Sequence, residues 1–324
     1  MSIDSNTSIL VTGGTGSFGK KFVDVLLKTS KPRKIIIFSR DELKQHEMRV
    51  AGFNAPCMRY FIGDVRDKER LRRAMNDVDV VIHAAALKHV PACEYNPIEA
   101  IQTNIIGAQN VINAAIDAGV KKVLALSTDK AVNPVNLYGA TKLCAEKLFV
   151  QSNAYSGGKT IFSCVRYGNV VASRGSVVPL FEEQKKTGTI TLTDERMTRF
   201  WLTLDHGVGF VLHCMDVMKG GEIFVPKIPS AKLTDLAEAI APGTKRLMTG
   251  IRAGEKLHEC LLSEDEARHT VEMKDMFVIE PETASWGYKH LEGPQPKDNW
   301  RYSSETNTVW LTPPQLQELL KTAA

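Results

Sequence analysis

The sequence predicts an α/β fold built on a doubly wound parallel sheet, with a smaller C-terminal region, and two observations lead to this prediction. Short runs of β-branched residues alternate with helix-length amphipathic segments through the first half of the 324 residues. This alternation is typical of right-handed βαβ units, which give a parallel sheet with helices on both faces. A glycine-rich turn also joins the first apolar run to the first helical segment. Together these features indicate a Rossmann-type sheet.

Six segments read as strands of this sheet: 8–12, 34–38, 58–62, 78–85, 123–127 and 161–167. After about Asn169 the alternation loosens and Pro and Gly become frequent. An amphipathic stretch over 234–240 and a short strand over 222–226 follow, and the tail PPQLQELLKTAA predicts a Pro-initiated helix. We therefore expect a dinucleotide-binding domain over 1–168. Residues 169–324 are expected to form mainly a substrate-binding region, interleaved with the last strands of the sheet.

Composition argues against several classes of function. The 41 basic and 37 acidic residues leave a net charge of +4, and no long Lys or Arg run supplies the footprint of a nucleic-acid-binding protein. The six cysteines are widely spaced without a C-x-x-C pair, so we expect reduced thiols, no zinc or other metal site and no disulfide framework. The N-terminus lacks a signal peptide and no apolar run approaches the length of a membrane span. A cytoplasmic protein acting on small anionic substrates is expected.

The glycine-rich turn is the first candidate binding site. Gly13, Gly16 and Gly19 form a G-x-x-G-x-x-G pattern between the strand SILVT and the helix that begins near Phe18. Glycines at this point let the backbone approach a pyrophosphate, whose charge is met by amides at the helix N-terminus. We expect the turn, together with Ser17, to bind a dinucleotide.

The end of the second strand bears on the choice of dinucleotide. NAD enzymes usually place an acidic residue here to bind the ribose 2'-hydroxyl. In this chain Ser39 and Arg40 come first, and Lys44 follows one helical turn later, so two cations can neutralise a 2'-phosphate. NADP is favoured, although Asp41 keeps NAD possible and the cations can also be a solvated helix start. The expected contacts from this segment are Arg40, Asp41, Glu42, Leu43, Lys44 and Gln45.

The fifth strand leads into the candidate catalytic segment. Its end carries Thr128, Asp129 and Lys130, and Tyr138 and Lys142 follow at the start of a predicted helix. Residues four apart share one helix face, and an ammonium beside a phenol favours the phenolate. Tyr138 is therefore a candidate base for a sugar hydroxyl as hydride leaves for nicotinamide.

The glycine turn, Thr128, Tyr138 and Lys142 resemble the extended short-chain dehydrogenase/reductases. Nucleotide-sugar 4,6-dehydratases of that family often carry Thr-Asp-Glu at the strand end, where this chain has Thr-Asp-Lys. That departure resembles the C5-inverting 4,6-dehydratases that act on UDP-N-acetylglucosamine in surface-glycan pathways such as pseudaminic acid biosynthesis. The segments STDKA, FSRDELKQ, HAAALKHVP, RYGNVVASRGSVVP, MTRFW, EIFVPKIPS and IRAGEKLHE carry the resemblance. It spans about residues 7 to 280 and is poor beyond Pro281.

The resemblance implies a role for each catalytic residue. Tyr138 deprotonates the C4 hydroxyl during oxidation, and the resulting ketone acidifies the C5 proton. A protonated Asp129 donates to the departing C6 hydroxyl. Lys130, kept neutral by burial and by nearby Lys142, removes the C5 proton and later returns it on the opposite face. Read without the resemblance, Asp129 and Lys130 are also consistent with a surface ion pair.

Further binding residues come from the resemblance. Asp64 and Val65 match an adenine-binding position, and Ala84 matches the small residues under the cofactor, although tight packing also selects small side chains. Arg174 and Arg199 are candidates for the diphosphate, but spacing does not separate Arg196 or Arg199 from surface residues. The substrate contacts expected are Lys88, Asn169, Val177, Thr193, Arg252 and Glu255.

Three other functions are compatible with the same scaffold: a C5-retaining dehydratase, a UDP-sugar epimerase and a non-catalytic NADP-binding regulator. Retaining relatives often carry transmembrane helices, epimerases lack the Asp-Lys pair, and regulators typically lose the Tyr or the Lys. The sequence therefore favours the inverting dehydratase, and the resemblance implies a homo-oligomer.

Overall fold

The computed structural model describes residues 3–171 and 177–323. Its strands are β1 Ser8–Thr12, β2 Lys34–Ser39, β3 Met58–Ile62, β4 Val80–His83, β5 Lys122–Thr128, β6 Ile161–Tyr167, β7 Asn169–Val170, β8 Thr189–Leu192, β9 Thr198–Leu202, β10 Ile223–Pro226, β11 Ser230–Lys232, β12 Lys245–Met248, β13 Cys260–Leu262, β14 Thr270–Glu272, β15 Met276–Ile279 and β16 Tyr302–Ser303. Candidate Arg174 lies outside the described residues.

The helices are α1 Ser17–Thr29, α2 Glu42–Val50, α3 Lys68–Ala74, α4 Val90–Tyr95, α5 Pro97–Ile101, α6 Gly107–Ala118, α7 Leu137–Tyr155, α8 Val177–Lys185, α9 Leu204–Val217, α10 Leu233–Ile240, α11 Glu264–Ala267 and α12 Pro313–Ala323. A π-helical turn over Gln102–Ile106 joins α5 to α6, and a 3₁₀ turn over Asp129–Ala131 follows β5. Within the described ranges, no helix is long and apolar enough to cross a membrane.

A nine-stranded sheet forms the core, in the order β14-β15-β10-β6-β5-β4-β1-β2-β3. The strands from β10 to β3 are parallel, and the antiparallel strands β15 and β14 complete one edge. All five residues of β1 and the four of β4 are buried because helices cover both faces. The order reverses between β1 and β4, which makes the switch point where α/β folds bind ligands. The predicted Rossmann-type fold is confirmed.

The predicted strands agree closely with the observed ones, with one exception. Segments 8–12, 58–62 and 161–167 match, and those over 34–38 and 123–127 extend by one residue at one or both ends. The segment expected over 78–85 narrows to Val80–His83. Its end leaves the ladder because the amides of Ala84 and Ala85 donate to the hydroxyl of Thr12. The chain therefore turns into the cavity at Ala84.

A second hydrophobic cluster, separate from the sheet, holds the smaller region together. Its centre is Trp201, packed with Phe181, Leu236 and Leu316 from three different helices. The chain returns from this region to the main sheet at β10, β14 and β15. The C-terminal segment is folded as well: β16 pairs with β13, and the ring of Tyr302 lies against Phe277. The smaller region is thus tied to the large sheet at several points.

Candidate active site

A cavity of about 1140 Å³ opens at the carboxyl ends of the parallel strands and extends under the smaller region. Pockets that hold one drug-sized ligand measure about 300–1,000 Å³. The cavity is therefore slightly larger than the usual pocket for one such ligand. Its walls combine the glycine turn after β1, the ends of β2 and β4, the segment from β5 into α7, and residues 252–255 of the smaller region.

The glycine turn forms the wall at the switch point. Gly13 has φ of +67°, and a Cβ there would come within 2.9 Å of the Ala85 backbone, so only glycine fits without a shift. The helix α1 starts at Ser17 with Gly16 as its N-cap, a residue that has no side chain to cover the first amides. The amides at this helix start can therefore bind an anionic group. The predicted residues Gly13, Gly16, Ser17, Phe18 and Gly19 all line the cavity.

The end of β2 places two cations beside the glycine turn. The guanidinium of Arg40 lies 3.5 Å from the Asp64 carboxylate, and the ammonium of Lys44 lies 2.8 Å from the Asp41 carboxylate. The Asp41 carboxylate also accepts the amide of Lys44 and caps α2. Of the expected cofactor residues in this part, the cavity wall includes Arg40, Asp41, Lys44, Asp64, Val65 and Ala84.

Three residues expected to contact the cofactor do not reach the cavity wall: Glu42, Leu43 and Gln45. Leu43 is exposed on α2. The buried amide of Gln45 donates to the carbonyls of Ser39 and Phe61, so it joins α2 to the ends of β2 and β3. Its contacts support a structural role.

The candidate catalytic residues meet where β5 ends. The Thr128 hydroxyl donates to Oδ1 of Asp129 at 2.8 Å, and Nζ of Lys130 lies 3.0 Å from the same oxygen. The helix α7 begins close by because Asn136 caps it by accepting the amide of Gly139. Thr128, Asp129, Lys130, Tyr138 and Lys142 all line one part of the cavity.

Lys130 has a second acidic neighbour that local sequence reasoning missed. Its Nζ lies 3.2 Å from Oε1 of Glu259, whose side chain is almost fully buried. Burial by itself lowers the pKa of Lys130, but the charges of Asp129 and Glu259 outweigh burial and raise that pKa above its usual range. The expectation that burial and Lys142 keep Lys130 neutral is therefore wrong for this structure: Lys130 is an ammonium held between two carboxylates.

Tyr138 and Lys142 also differ from expectation. Nζ of Lys142 donates to the carbonyl of Leu126 at 2.7 Å, and burial lowers the pKa of Lys142. Burial raises the pKa of Tyr138 to about 12, while the charge of Lys130 and the Thr128 hydroxyl act in the opposite direction. The cation acting on the phenol here is Lys130 rather than Lys142. Tyr138 is accordingly a neutral phenol in this structure.

The expected substrate residues all lie on the cavity wall: Lys88, Asn169, Val177, Thr193, Arg252 and Glu255. Arg252 is mostly exposed at the rim, 4.0 Å from the carboxylate of Glu255. The side-chain amide of Asn136 donates to the carbonyl of Gly254 at 2.8 Å, which fixes this rim against the start of α7. Thr193 donates to the sulfur of Met197.

The two arginines left open by the sequence have different environments. Arg196 is exposed and pairs with Asp194. Arg199 is buried, and its guanidinium donates to the carbonyls of Leu257 and Lys256, which fixes the backbone just ahead of Glu259. Arg199 also lines the cavity, so it supports this backbone from the cavity wall.

The two histidines near the site have other partners. His83 bonds the Thr12 hydroxyl, and burial lowers its pKa to about 3, so it is neutral. His89 accepts the amide of Ala92 and caps α4.

Comparison with known proteins places this geometry in a family. Residues 9–281 match the family model described as polysaccharide biosynthesis protein. The chain belongs to this family. A UDP-N-acetylglucosamine 4,6-dehydratase (inverting) from Campylobacter jejuni is 57% identical over 324 residues, covering 97% of each chain. A UDP-glucose 4-epimerase from Rickettsia massiliae is 41% identical and covers 97% of this chain and 95% of its own.

Solved structures agree with the family assignment. The X-ray structure of Pen from Bacillus thuringiensis has a TM-score of 0.90 at 38% identity and covers 98% of both chains. The dTDP-glucose 4,6-dehydratase DesIV from Streptomyces venezuelae, solved with NAD and TYD bound, has a TM-score of 0.69 at 22% identity over 78% of this chain and 87% of its own, and shows the shared fold. The resemblance drawn from the motifs is confirmed. The family model ends at residue 281, while the alignment with the Campylobacter enzyme continues over 97% of this chain.

Proposed function

We propose that this protein converts UDP-N-acetylglucosamine to UDP-2-acetamido-2,6-dideoxy-β-L-arabino-hex-4-ulose and water, a 4,6-dehydration that inverts C5. The observation that carries the proposal is the placement of Asp129 and Lys130 beside Tyr138 at the cavity wall. These groups supply the acid and base that loss of water across C5 and C6 requires. The 57% identity to an inverting dehydratase over nearly the whole chain supports the same reaction.

Each step of the proposed reaction has a candidate group at the cavity wall. Tyr138 first gives its own proton to solvent, and the resulting phenolate, which the charge of Lys130 favours, takes the proton of the C4 hydroxyl. Lys130 and Asp129 act at C5 and C6 of the same sugar. The glycine turn would hold a nicotinamide cofactor, which would supply a hydride acceptor for C4 and the hydride donor for C6, so the reaction would involve no net oxidation. Arg252 and Glu255 at the rim are suited to the nucleotide, because a guanidinium binds phosphate and a carboxylate accepts ribose hydroxyls.

NADP is the proposed form of the cofactor, on the strength of Arg40 and Lys44. Both cations are about half exposed, so each can exchange its carboxylate partner for a 2'-phosphate. A hydrogen bond to a charged group contributes about 1.5–3 kcal/mol, so we expect R40A with K44A, which removes two such bonds, to weaken NADP binding by about 10²- to 10⁴-fold and NAD binding much less. Calorimetric titration of cofactor-stripped protein measures both affinities. The variant K28A, which removes an exposed cation of α1, is the control; equal loss of both cofactors would contradict the assignment.

The reaction is tested by incubating the purified protein with UDP-N-acetylglucosamine in deuterated water without added cofactor. Proton NMR is expected to show a 4-keto-6-deoxy sugar of L-arabino configuration with deuterium at C5, and K130A is expected to abolish that product. A product of D-xylo configuration would identify a C5-retaining dehydratase. Unchanged substrate with bound NADP present would overturn the proposed substrate and favour a regulator.

An epimerase is the second candidate, because a UDP-glucose 4-epimerase is 41% identical to this chain. Epimerisation at C4 needs only oxidation and reduction at that carbon, and it leaves Asp129 and Lys130 without a role. The same NMR experiment separates the two: an epimerase gives UDP-N-acetylgalactosamine with its C6 hydroxyl retained. The homo-oligomer and the cytoplasmic location expected from the sequence remain predictions.

A further inference from the structure

Glu259 stands out as a buried acid on a segment far in sequence from the catalytic residues. Its side chain is 3% exposed, and it reaches the cavity from the strand-like backbone before β13. The Ser304 hydroxyl accepts the Glu259 amide, and the Glu259 carbonyl accepts the Ser304 amide. The backbone of Glu259 is therefore fixed on both sides, and its carboxylate can move little relative to Lys130.

The carboxylate of Glu259 is only half used. Its Oε1 lies 3.2 Å from Nζ of Lys130 and 3.8 Å from Nε of Arg199, whereas Oε2 is buried and has no hydrogen-bond partner among the described residues. A buried polar atom without a hydrogen-bond partner destabilises the fold. Buried polar atoms without partners are uncommon in native proteins, and some of them have a catalytic role. A free carboxylate oxygen beside an ammonium can accept its proton.

The proposed reaction requires Lys130 to lose a proton before it can act. As an ammonium between two carboxylates it has no lone pair to remove the C5 proton. Asp129 has a similar free oxygen, because its buried Oδ2, like Oε2 of Glu259, has no hydrogen-bond partner among the described residues. It is nevertheless a poor recipient in the reacting complex, because there its carboxyl group must already hold the proton that leaves with the C6 hydroxyl. Glu259 is the remaining carboxylate in contact with the ammonium.

We propose that Glu259 takes the ammonium proton of Lys130 and so converts Lys130 into the neutral amine that removes the proton from C5. This inference rests on the proposed dehydratase function. Glu259 acts through Lys130 and is a positioning residue, since the group that touches the sugar is the amine.

The step balances without another reactant. One proton moves from Nζ of Lys130 to the Glu259 carboxylate, which leaves a neutral amine and a neutral carboxylic acid. The amine then takes the C5 proton, and the C5–H electron pair enters the enolate of the C4 ketone. When Lys130 gives a proton back to the sugar, Glu259 returns its own proton to Lys130. The total charge of the cluster is unchanged by the internal transfer.

Several other charged or titratable groups face this cluster. Asp129 lies on the 3₁₀ turn, Tyr138 on α7 and Arg199 on β9. Lys88 follows β4, and Lys256 precedes Glu259 and donates to the carbonyl of Val132. Of these, Asp129 stabilises the ammonium, and the cations oppose it. In a Glu259→Gln variant, Asp129 remains the carboxylate in contact with Lys130, at 3.0 Å.

The test compares E259Q with the wild-type protein, because the Gln oxygen can still accept a hydrogen bond from Lys130 but cannot readily take its proton. Single-turnover reactions in deuterated water report C4 oxidation from the absorbance of the reduced nicotinamide, and proton removal from deuterium at C5. In E259Q we expect C4 oxidation to persist and C5 exchange to fall by about 10²-fold at neutral pH.

The pH dependence gives a readout that a merely structural role would not move. In E259Q, Lys130 must lose its proton to solvent. Below the pKa of Lys130 its neutral fraction rises about tenfold per pH unit, so the rate of C5 exchange is expected to rise by the same factor. The wild-type rate is expected to stay level over the same range. E259D keeps an acid at this position and is expected to restore the level profile.

The matched control is E264Q, which removes an exposed acid of the same segment that does not line the cavity. Its ratio of C5 exchange to C4 oxidation is expected to equal that of the wild type. Equal C5 exchange in E259Q and wild type, or equal loss of both steps in E259Q, would overturn the role of Glu259. A wild-type protein that gives no dehydrated product would overturn the proposed function instead.

Discussion

The hydroxyl of Tyr138 is the group on which C4 oxidation depends, and its surroundings act on it in opposite directions. Burial raises its pKa to about 12, and the Lys130 charge opposes that shift. We expect Y138F to lower turnover by about 10²- to 10⁴-fold, because the C4 proton then has no acceptor. Stopped-flow absorbance should show no reduced nicotinamide.

The control for this change is Y60F, which removes a hydroxyl that donates to the carbonyl of Phe53 away from the cavity wall. It is expected to lose about 1 kcal/mol of unfolding free energy and to keep its turnover. Reduced nicotinamide forming at the wild-type rate in Y138F would contradict the role of the phenol.

The sequence predicts single site residues well where reactive residue types also stand at a spacing that places them on one face of an element. Tyr138 and Lys142 sit on one helix, so their spacing alone brought them to one face. The environment of Lys130 was predicted wrongly, because Glu259 arrives from a segment more than a hundred residues later. One local signal was present: Leu257, Glu259 and Leu261 alternate, which puts an acid on the apolar side of an extended segment.

The start of α7 depends on close packing against the 3₁₀ turn that carries Lys130. A Cβ at Gly139 would lie 2.1 Å from the carbonyl oxygen of Lys130. We expect G139A to lower the free energy of unfolding by about 1–3 kcal/mol, as overpacking does, and to displace Lys130 enough to abolish C5 exchange. Urea denaturation and the deuterium assay measure the two effects.

The matched control is G209A on α9, where an added Cβ meets no atom within 4 Å. Replacing a helix glycine by alanine is expected to stabilise the protein by up to about 1 kcal/mol. If G139A were as stable and as active as G209A, the start of α7 could move away from the 3₁₀ turn without loss, and the close packing at Gly139 would not position Lys130.

At the level of elements, strands with continuous β-branched runs were predicted to within a residue, because burial on both faces leaves them no alternative. The strand predicted over 78–85 is longer than the observed strand Val80–His83. The amides that follow the observed strand donate to the Thr12 hydroxyl on a neighbouring strand, and this contact is not visible in the local sequence. The contacts of Gln45 likewise depend on β3, which its own segment does not reveal.

One buried arginine adds to the contacts between the sheet and the smaller region. The guanidinium of Arg166 on β6 pairs with Glu146 of α7 at 2.6 Å and with Glu266 of α11 at 2.9 Å. It also donates to the carbonyl of Leu261 in β13. Because β13 continues directly from Glu259, this network fixes the second half of the site against the first. The smaller region and the main sheet are therefore expected to unfold as one cooperative unit.

The stability of this connection should depend on pH through Glu266. Burial raises its pKa, but the charge and hydrogen bonds of Arg166 outweigh burial and hold the pKa below the usual 4.5. A group with a depressed pKa stabilises the fold above its unfolded pKa and loses that contribution as pH falls through its folded pKa. We expect E266Q to lower the free energy of unfolding by about 1–3 kcal/mol at neutral pH. Urea denaturation at a series of pH values should show the gap between E266Q and wild type closing below about pH 4.5. If the difference in unfolding free energy between E266Q and wild type stayed constant down to acidic pH, packing rather than the charge of Glu266 would join the two regions.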